Sequence, residues 1–477
     1  RNAARSITAC AAFLFESGAD MSVAITFLGG ADTVTGSKYL VRHGENSLIV
    51  DCGLFQGYKT LRERNREPFP VPPDTIDAVL LTHAHLDHSG YVPALVRDGF
   101  RGPIITTTGT AELCSILLPD SAHLLEEEAA HAARKGYSKH NPPRPLYTIQ
   151  DVELALSQFR TANFDEVLDV VPGLKATFLP AGHILGAAQL HIDVAGTSLH
   201  FTGDMGRQHD PLMKPPREFE GADILITEST YGNRTHPNID PEGELAPALK
   251  PVLERGGVVV IPAFAVGRTQ GLMLHIWRLM DRGEIPRVPI YVNSPMAASA
   301  TRMYHKHQEE HTIPVEEFEA VYDVAHMVGT VEESKALNEK HGPMIIIAAS
   351  GMMTGGRVLH HLVAFGEDPN NAIVISGYQA GGTRGALLAE GAKTLRIFGH
   401  DVPIKAEVIQ LQSMSGHADS QEILDWMKRS PKAPKMTYVT HGEMDAADRM
   451  RFRIASELNW KVRAPEHGEI IDLEDPQ

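Results

Sequence analysis

The six residues His83-Ala84-His85-Leu86-Asp87-His88 contain four side chains of the kind that hold a hydrolytic metal ion. Neutral imidazole and carboxylate are the ligands zinc takes in such sites. They stand directly behind the apolar run Ala78–Thr82, so a turn at a strand end can aim them at one place. Alternation separates His83 and His85 from Asp87 and His88, and the two pairs can serve two ions. A single histidine in a polar loop is usually a surface residue; four ligand-type residues packed this densely are not explained that way. Three further positions share the pattern of a ligand-type residue beside glycine after a strand-like run. They are His183 in Pro180-Ala-Gly-His-Ile-Leu-Gly186, Asp204 in Phe201-Thr-Gly-Asp-Met-Gly206, and His441 in Val439-Thr-His-Gly-Glu443. Singly, His183 reads as a capping or core histidine and Asp204 as a turn residue. Together with the cluster they complete two coordination sets.

The elements that must carry these residues are legible from period and punctuation. Short β-type runs at Val23–Leu28, Tyr39–Val41 and Ser47–Val50 are separated by Gly, Asp and Asn turns. A helix is predicted over Leu113–Arg134, and strands over Leu174–Leu179, Gln189–Val194, Ser198–Thr202 and Asp223–Thr227. From about Pro211 the pattern becomes strand, glycine-rich loop, helix. Val258–Ile261 leads into Pro262–Arg268, Pro289–Val292 into Asn293–Ala297, Met344–Ile347 into Ser350–Arg357, and Ala372–Ile375 into Ser376–Arg384. Such units predict a parallel sheet whose loops line a crevice at the strand ends. The strand-rich style resumes at Lys405, so the second unit reads as an insertion within the first.

A length of 477 residues suits two or three domains. The formal charge of −16 argues against a protein that coats nucleic acid through a broad basic surface. It leaves room for a polyanion held in a local cleft, where bound divalent ions reverse the sign of the potential. Cys10, Cys52 and Cys114 show no paired spacing, which fits a reducing cytoplasm. No apolar run reaches the length of a membrane span. Residues 1–20 precede Met21 and read as a leader outside the fold. Oligomeric state, a homodimer included, is not legible.

From Val23 onward the chain resembles the metallo-β-lactamase superfamily. Its motifs occur in order: Asp51 in Ile49-Val-Asp-Cys-Gly53, the histidine-rich cluster, His183, Asp204 and His441. The inserted unit resembles the β-CASP domain of RNA- and DNA-processing nucleases, such as the eukaryotic pre-mRNA cleavage endonuclease and bacterial ribonuclease J. That likeness rests on Glu228 in Ile226-Thr-Glu-Ser-Thr-Tyr-Gly232, His417 in Met414-Ser-Gly-His-Ala-Asp419, His441, and the four glycine-rich loops. The resemblance implies an α/β protein, an αββα sandwich formed by 21–210 and 393–477, with a β-CASP domain inserted at 211–392. It implies that His83, His85 and His183 bind one zinc ion, that Asp87, His88 and His441 bind a second, and that Asp204 bridges them. Asp51 then hydrogen-bonds the histidine-rich loop.

The expected activity is hydrolysis of RNA phosphodiester bonds with two zinc ions, internally or from a 5′ end. His417 is the expected general acid, kept protonated by Glu228, in a catalytic set with Asp87 and Asp51. Water as the nucleophile implies products with 5′ phosphate and 3′ hydroxyl ends. Arg268, Arg357 and Arg384 are the candidate phosphate-binding cations, with Ser376 and Thr383 as hydroxyl donors and His400 as a further contact. Tyr378 is a candidate for stacking on a base. Three alternatives stay open. One is DNA as the substrate. Another is a small-molecule lactam or thioester hydrolase, which would lack the insert and the Glu228–His417 pair. The third is a non-catalytic scaffold, which the complete ligand set argues against.

Overall fold

The computed structural model describes residues 22–135, 143–237 and 239–473; the leader expected at 1–20 lies outside the described residues. Two seven-stranded sheets form the base of the molecule. In the first the order is Ile470–Asp472, Val23–Gly29, Lys38–His43, Asn46–Val50, Ala78–Leu80, Ile104–Thr107, Phe159–Ala162. Its first four strands pair antiparallel and the rest parallel. In the second the order is Val462–Arg463, Met436–Val439, Ile224–Thr227, Thr197–Phe201, Ala188–Val194, Leu174–Pro180, Val167–Val171.

The inward residues of these strands, among them Phe27, Val50, Phe178, Leu190, Phe201 and Tyr438, form one buried layer between the sheets. The outer faces are apolar too, which is why each must be covered. Helices Val92–Arg97, Thr108–Lys135 and Ile149–Ser157 cover the first sheet, burying Leu95, Leu113 and Val152 against Ile49 and Val79. Helices Ser420–Lys428 and Met444–Arg453 cover the second, with Trp426 and Met450 against Leu225 and Val439. The result is the αββα sandwich expected from the sequence.

The insert carries a six-stranded, all-parallel sheet in the order Ala325–Met327, Ile290–Asn293, Met344–Ala348, Val258–Pro262, Ala372–Ile375, Glu407–Gln410. Every residue of Val258–Pro262 and Met344–Ala348 is buried. That is the reason these strands read as unbroken apolar runs rather than alternating ones. The chain leaves Val258–Pro262 toward one edge of the sheet and leaves Met344–Ala348 toward the other. The helix after the first, Arg268–Asp281, packs with Val259 and Ile261. The helix after the second, Val358–Phe365, packs with Val258 and Val260 on the opposite face. The crevice between these two strand ends is a topological switch point, where open parallel sheets bind ligands.

Sheet membership moves both boundaries of the insert. Ile224–Thr227 pairs parallel with Thr197–Phe201 and Met436–Val439, so the chain as far as Thr227 belongs to the base rather than leaving it at 211. Glu407–Gln410 pairs parallel with Ala372–Ile375, and the hairpin Thr394–Ile397/His400–Pro403 buries Leu395, Ile397 and Val402 in the same core. The insert therefore continues past 393 to Gln410. Among the described residues no helix is long and apolar enough to cross a membrane.

Candidate metal centre

Asp51 organises the loop that carries the histidine cluster. It follows the strand Asn46–Val50 at φ 56°, a conformation that Asp tolerates better than most side chains. Its carboxylate accepts from Thr82 N at 2.8 Å, from Thr82 Oγ1 at 2.9 Å and from His88 Nδ1 at 2.7 Å. Two residues on, Gly53 lies so close to the cluster that a Cβ there would stand 1.6 Å from the Asp87 carbonyl oxygen. Gly53→Ala must therefore push the ligand loop away. The expected cost is about 1–3 kcal/mol of stability, together with reduced metal uptake, both readable by denaturant unfolding and elemental analysis. An unchanged unfolding midpoint with full metal content would show that the loop yields without consequence.

Four strand ends then bring the ligand types together. His83 follows Ala78–Leu80, His183 follows Leu174–Pro180, Asp204 follows Thr197–Phe201, and His441 follows Met436–Val439 at φ 47°. Asp204 stands between two groups. Its Oδ2 faces His83 Nε2 at 3.3 Å and His183 Nε2 at 3.7 Å, and its Oδ1 faces His88 Nε2 at 3.1 Å and His441 Nε2 at 3.4 Å. On the first side His85 Nδ1 lies 3.2 Å from both His83 Nε2 and His183 Nε2. On the second, Asp87 joins His88 and His441 with ligand atoms all within 4.8 Å of one another.

The distal ring nitrogens are tied away from the centre. His88 Nδ1 donates to Asp51, His183 Nδ1 donates to Gly416 O at 2.9 Å, and His441 Nδ1 pairs with Ser37 Oγ at 2.8 Å. Such ties fix the tautomer and aim the other nitrogen inward. His88 Nε2 and Asp204 Oδ1 are buried and face each other at 3.1 Å without the geometry of a hydrogen bond. Burial pushes His83 and His85 well below the usual histidine range and His183 down to about 4, so these three rings present lone pairs rather than protons. On the second side burial acts to lower His88, but the charges of Asp204 and Asp51 outweigh it and hold the ring well above the usual histidine range. Neutral imidazoles converging on one side and a carboxylate with one oxygen toward each group suit a metal centre.

Beside this centre lies a second arrangement. Glu228, buried at the end of Ile224–Thr227, accepts from Met205 N and faces His417 Nδ1 at 3.3 Å. Burial acts to lower the His417 pKa, but the charges of Glu228 and Asp204 outweigh it and the net shift is upward. The His417 ring packs 4.4 Å from that of His183. Its backbone is held by Ser415 Oγ, which accepts from His417 N at 3.0 Å, and by His236 Nε2, which reaches His417 O at 3.1 Å. Asp419 caps the following helix and accepts from His236 N. Nothing in the sequence spacing marked His236, a lone histidine before Pro237.

The expected phosphate contacts divide. Arg357 donates to Asn293 Oδ1, Val328 O and Gly329 O, and Arg384 donates to the carbonyls of Arg396, Met353 and Thr354. Thr383 caps its own helix and donates to Ala380 O. Arg357 and Arg384 tie glycine-rich loops to one another, and Thr383 closes its own, so these donors are engaged within the fold. Ser376 is buried, and His400 is exposed at the start of the Pro403 hairpin strand. Tyr378 is half-buried and lies edge-on to Tyr231. Arg268 differs: its guanidinium lies close to Gly377, and its Nε is buried without a partner.

An αββα sandwich with ligand-type residues at four strand ends defines a protein of metallo-β-lactamase fold. Family models match as the metallo-β-lactamase superfamily over 32–110, the Beta-Casp domain over 269–388, and the Zn-dependent metallo-hydrolase RNA specificity domain over 401–465. The chain is 37% identical over 422 residues to "Ribonuclease TTHA0252" of Thermus thermophilus, covering 87% of this chain and 92% of that one. It is 33% identical over 478 residues to "Transcription termination factor FttA" of Methanosarcina mazei, covering 95% of this chain and 72% of that one. The chain belongs to the β-CASP family of the metallo-β-lactamase superfamily. A crystal structure of an Enterococcus faecalis protein of unknown function shares the fold, with a TM-score of 0.50 and 14% identity over 94% of this chain and 99% of that one.

Proposed function

We propose that this protein is a two-zinc ribonuclease that hydrolyses RNA phosphodiester bonds. The observation that carries the reading is the position of Asp204, one oxygen toward each of two histidine groups, with the Glu228–His417 pair alongside. The ribonuclease named among its relatives supports RNA as the substrate. In this reading His83, His85 and His183 hold one ion, Asp87, His88 and His441 the other, and Asp204 both. When bound, the two ions supply Lewis acidity that makes water nucleophilic near neutral pH and offsets phosphoryl charge.

The remaining work falls to the chain itself. Asp51 holds the His88 ring in the orientation that turns Nε2 inward. Glu228 engages His417 Nδ1 and favours the imidazolium, leaving Nε2 to protonate the departing 3′ oxygen. Arg268, whose guanidinium lies beside the Gly377 loop, holds a phosphate of the substrate strand.

Protein purified without added metal is expected to contain close to two zinc ions per chain, to lose cleavage on chelation and to regain it with zinc. Incubation with 5′- and 3′-labelled RNA and matched DNA should yield RNA fragments ending in 5′ phosphate and 3′ hydroxyl. Cleavage of DNA alone would replace RNA as the substrate, and full activity in protein lacking zinc would overturn the metal assignment.

A further inference from the structure

Phe264 occupies an unusual place for a large apolar side chain. It lies in the turn that ends the strand Val258–Pro262, at the switch point of the parallel sheet. Its neighbours Ala263, Ala265 and Val266 are buried at 1%, 7% and 3% exposure, whereas Phe264 is 38% exposed. Its ring centroid is 6.2 Å from that of His85, with the rings tilted by 47°. The other exposed aromatic side chains among the described residues, Tyr58, Phe398 and Phe452, make no ring contact with the histidine centre.

The backbone that carries the ring is also held. Thr269 donates to Phe264 O through its backbone N at 3.2 Å and its Oγ1 at 2.7 Å. Gly351, on the loop after the adjacent strand Met344–Ala348, approaches so closely that a Cβ there would stand 2.9 Å from Phe264 Cδ2. The ring thus has Gly351 against one side and the His85 ring nearby, with 38% of the residue left exposed. A partner that covered the ring would remove its apolar surface from water. Arg268, four residues on, offers the nearby cation.

We propose that Phe264 is a stacking platform for a nucleobase next to the scissile phosphate, so that the enzyme takes a single strand whose base at that position is unpaired and unstacked. The proposal deepens the ribonuclease reading and rests on it. A planar aromatic face accepts any base with little sequence preference, and a base already paired in a duplex has no face to offer.

The test is a cycle between protein and substrate. Wild type, Phe264→Ala, Phe264→Leu and Phe264→Tyr are compared on an RNA oligonucleotide with one cleavage position and on versions with a single abasic residue at successive places around it. Cleavage is measured together with binding by fluorescence anisotropy, using RNA and matched single-stranded DNA.

Phe264→Ala and Phe264→Leu are expected to weaken binding and kcat/KM by roughly 5- to 150-fold, mainly through KM, with zinc content unchanged. Phe264→Tyr should keep most of the wild-type value. At one abasic position wild type should fall to the level of Phe264→Ala, and the substitution should then have no further effect. Equal losses at every abasic position, or an equal loss on bis(4-nitrophenyl) phosphate, would overturn the stacking role and leave Phe264 as a support for His85. If wild type leaves RNA intact the ribonuclease reading fails by itself, and the binding cycle on DNA still decides whether a base stacks on Phe264.

Discussion

His417→Ala is expected to slow RNA cleavage by roughly 10²- to 10⁴-fold while both zinc ions remain bound. His417 Nδ1 faces Glu228 at 3.3 Å, whereas the nearest Asp204 oxygen is 4.0 Å away. The ring is therefore placed as the partner of an acid rather than as one more member of either histidine group. Its raised pKa, set by Glu228 and Asp204 against the opposing effect of burial, favours the imidazolium that a general acid requires. Glu228→Gln should act in the same direction, because it removes the charge that favours that form. A nitrophenyl phosphodiester has a leaving group that needs little protonation, so its hydrolysis should fall much less. Loss of zinc from His417→Ala, or equal slowing of both substrates, would make His417 a ligand or a positioning residue instead.

Asp204→Ala should have the larger effect, beyond about 10⁴-fold on cleavage, with zinc content falling from two towards zero. The carboxylate is shared by both groups, and its removal leaves His83, His88, His183 and His441 without the negative charge they surround. Asp51→Asn provides a graded comparison. It weakens the tie on His88 but removes no inward-facing atom, and changes of this kind typically cost about 10–100-fold in metal affinity or activity. Elemental analysis and cleavage assays on the two variants should therefore rank Asp204 well above Asp51. Two tightly held zinc ions in Asp204→Ala would refute the shared-ligand arrangement.

The candidate metal centre was legible because its chemistry and its fold share a grammar. Ligand-type residues beside glycine after an apolar run mark strand ends, and a sandwich brings strand ends together. The insert was harder to delimit. Ile224–Thr227 is an unbroken buried strand and reads the same in either domain, since pairing partners are not written in its composition. The internal bonds of Arg357 and Arg384 were not legible, because a cation after a glycine turn has the same signature whether it meets a ligand or the carbonyls of a neighbouring loop. Phe264 was missed for the opposite reason: one aromatic between alanines looks like core, and only its exposure in the folded chain separates it from Val266. His236 carries no local pattern, because its role depends on a carbonyl 181 positions away.

The order of the chain has a consequence for when activity can arise. Glu228 and His417 are 189 positions apart, and Ser37 and His441 are 404 apart. Closing such long loops adds little to the equilibrium cost, since each doubling of length adds only about 0.6 kcal/mol. Timing is a different matter, because domains fold as units and the N-terminal ones first during synthesis. The histidine-rich loop, His183 and Asp204 emerge from the ribosome early, whereas His417 and His441 can dock only after the insert has folded and the chain has returned to the second sheet. A partly made chain lacks His417 and His441, the proposed proton donor and one proposed ligand. On the proposed roles of His417 and His441, the site is completed only by the last strands to join the second sheet.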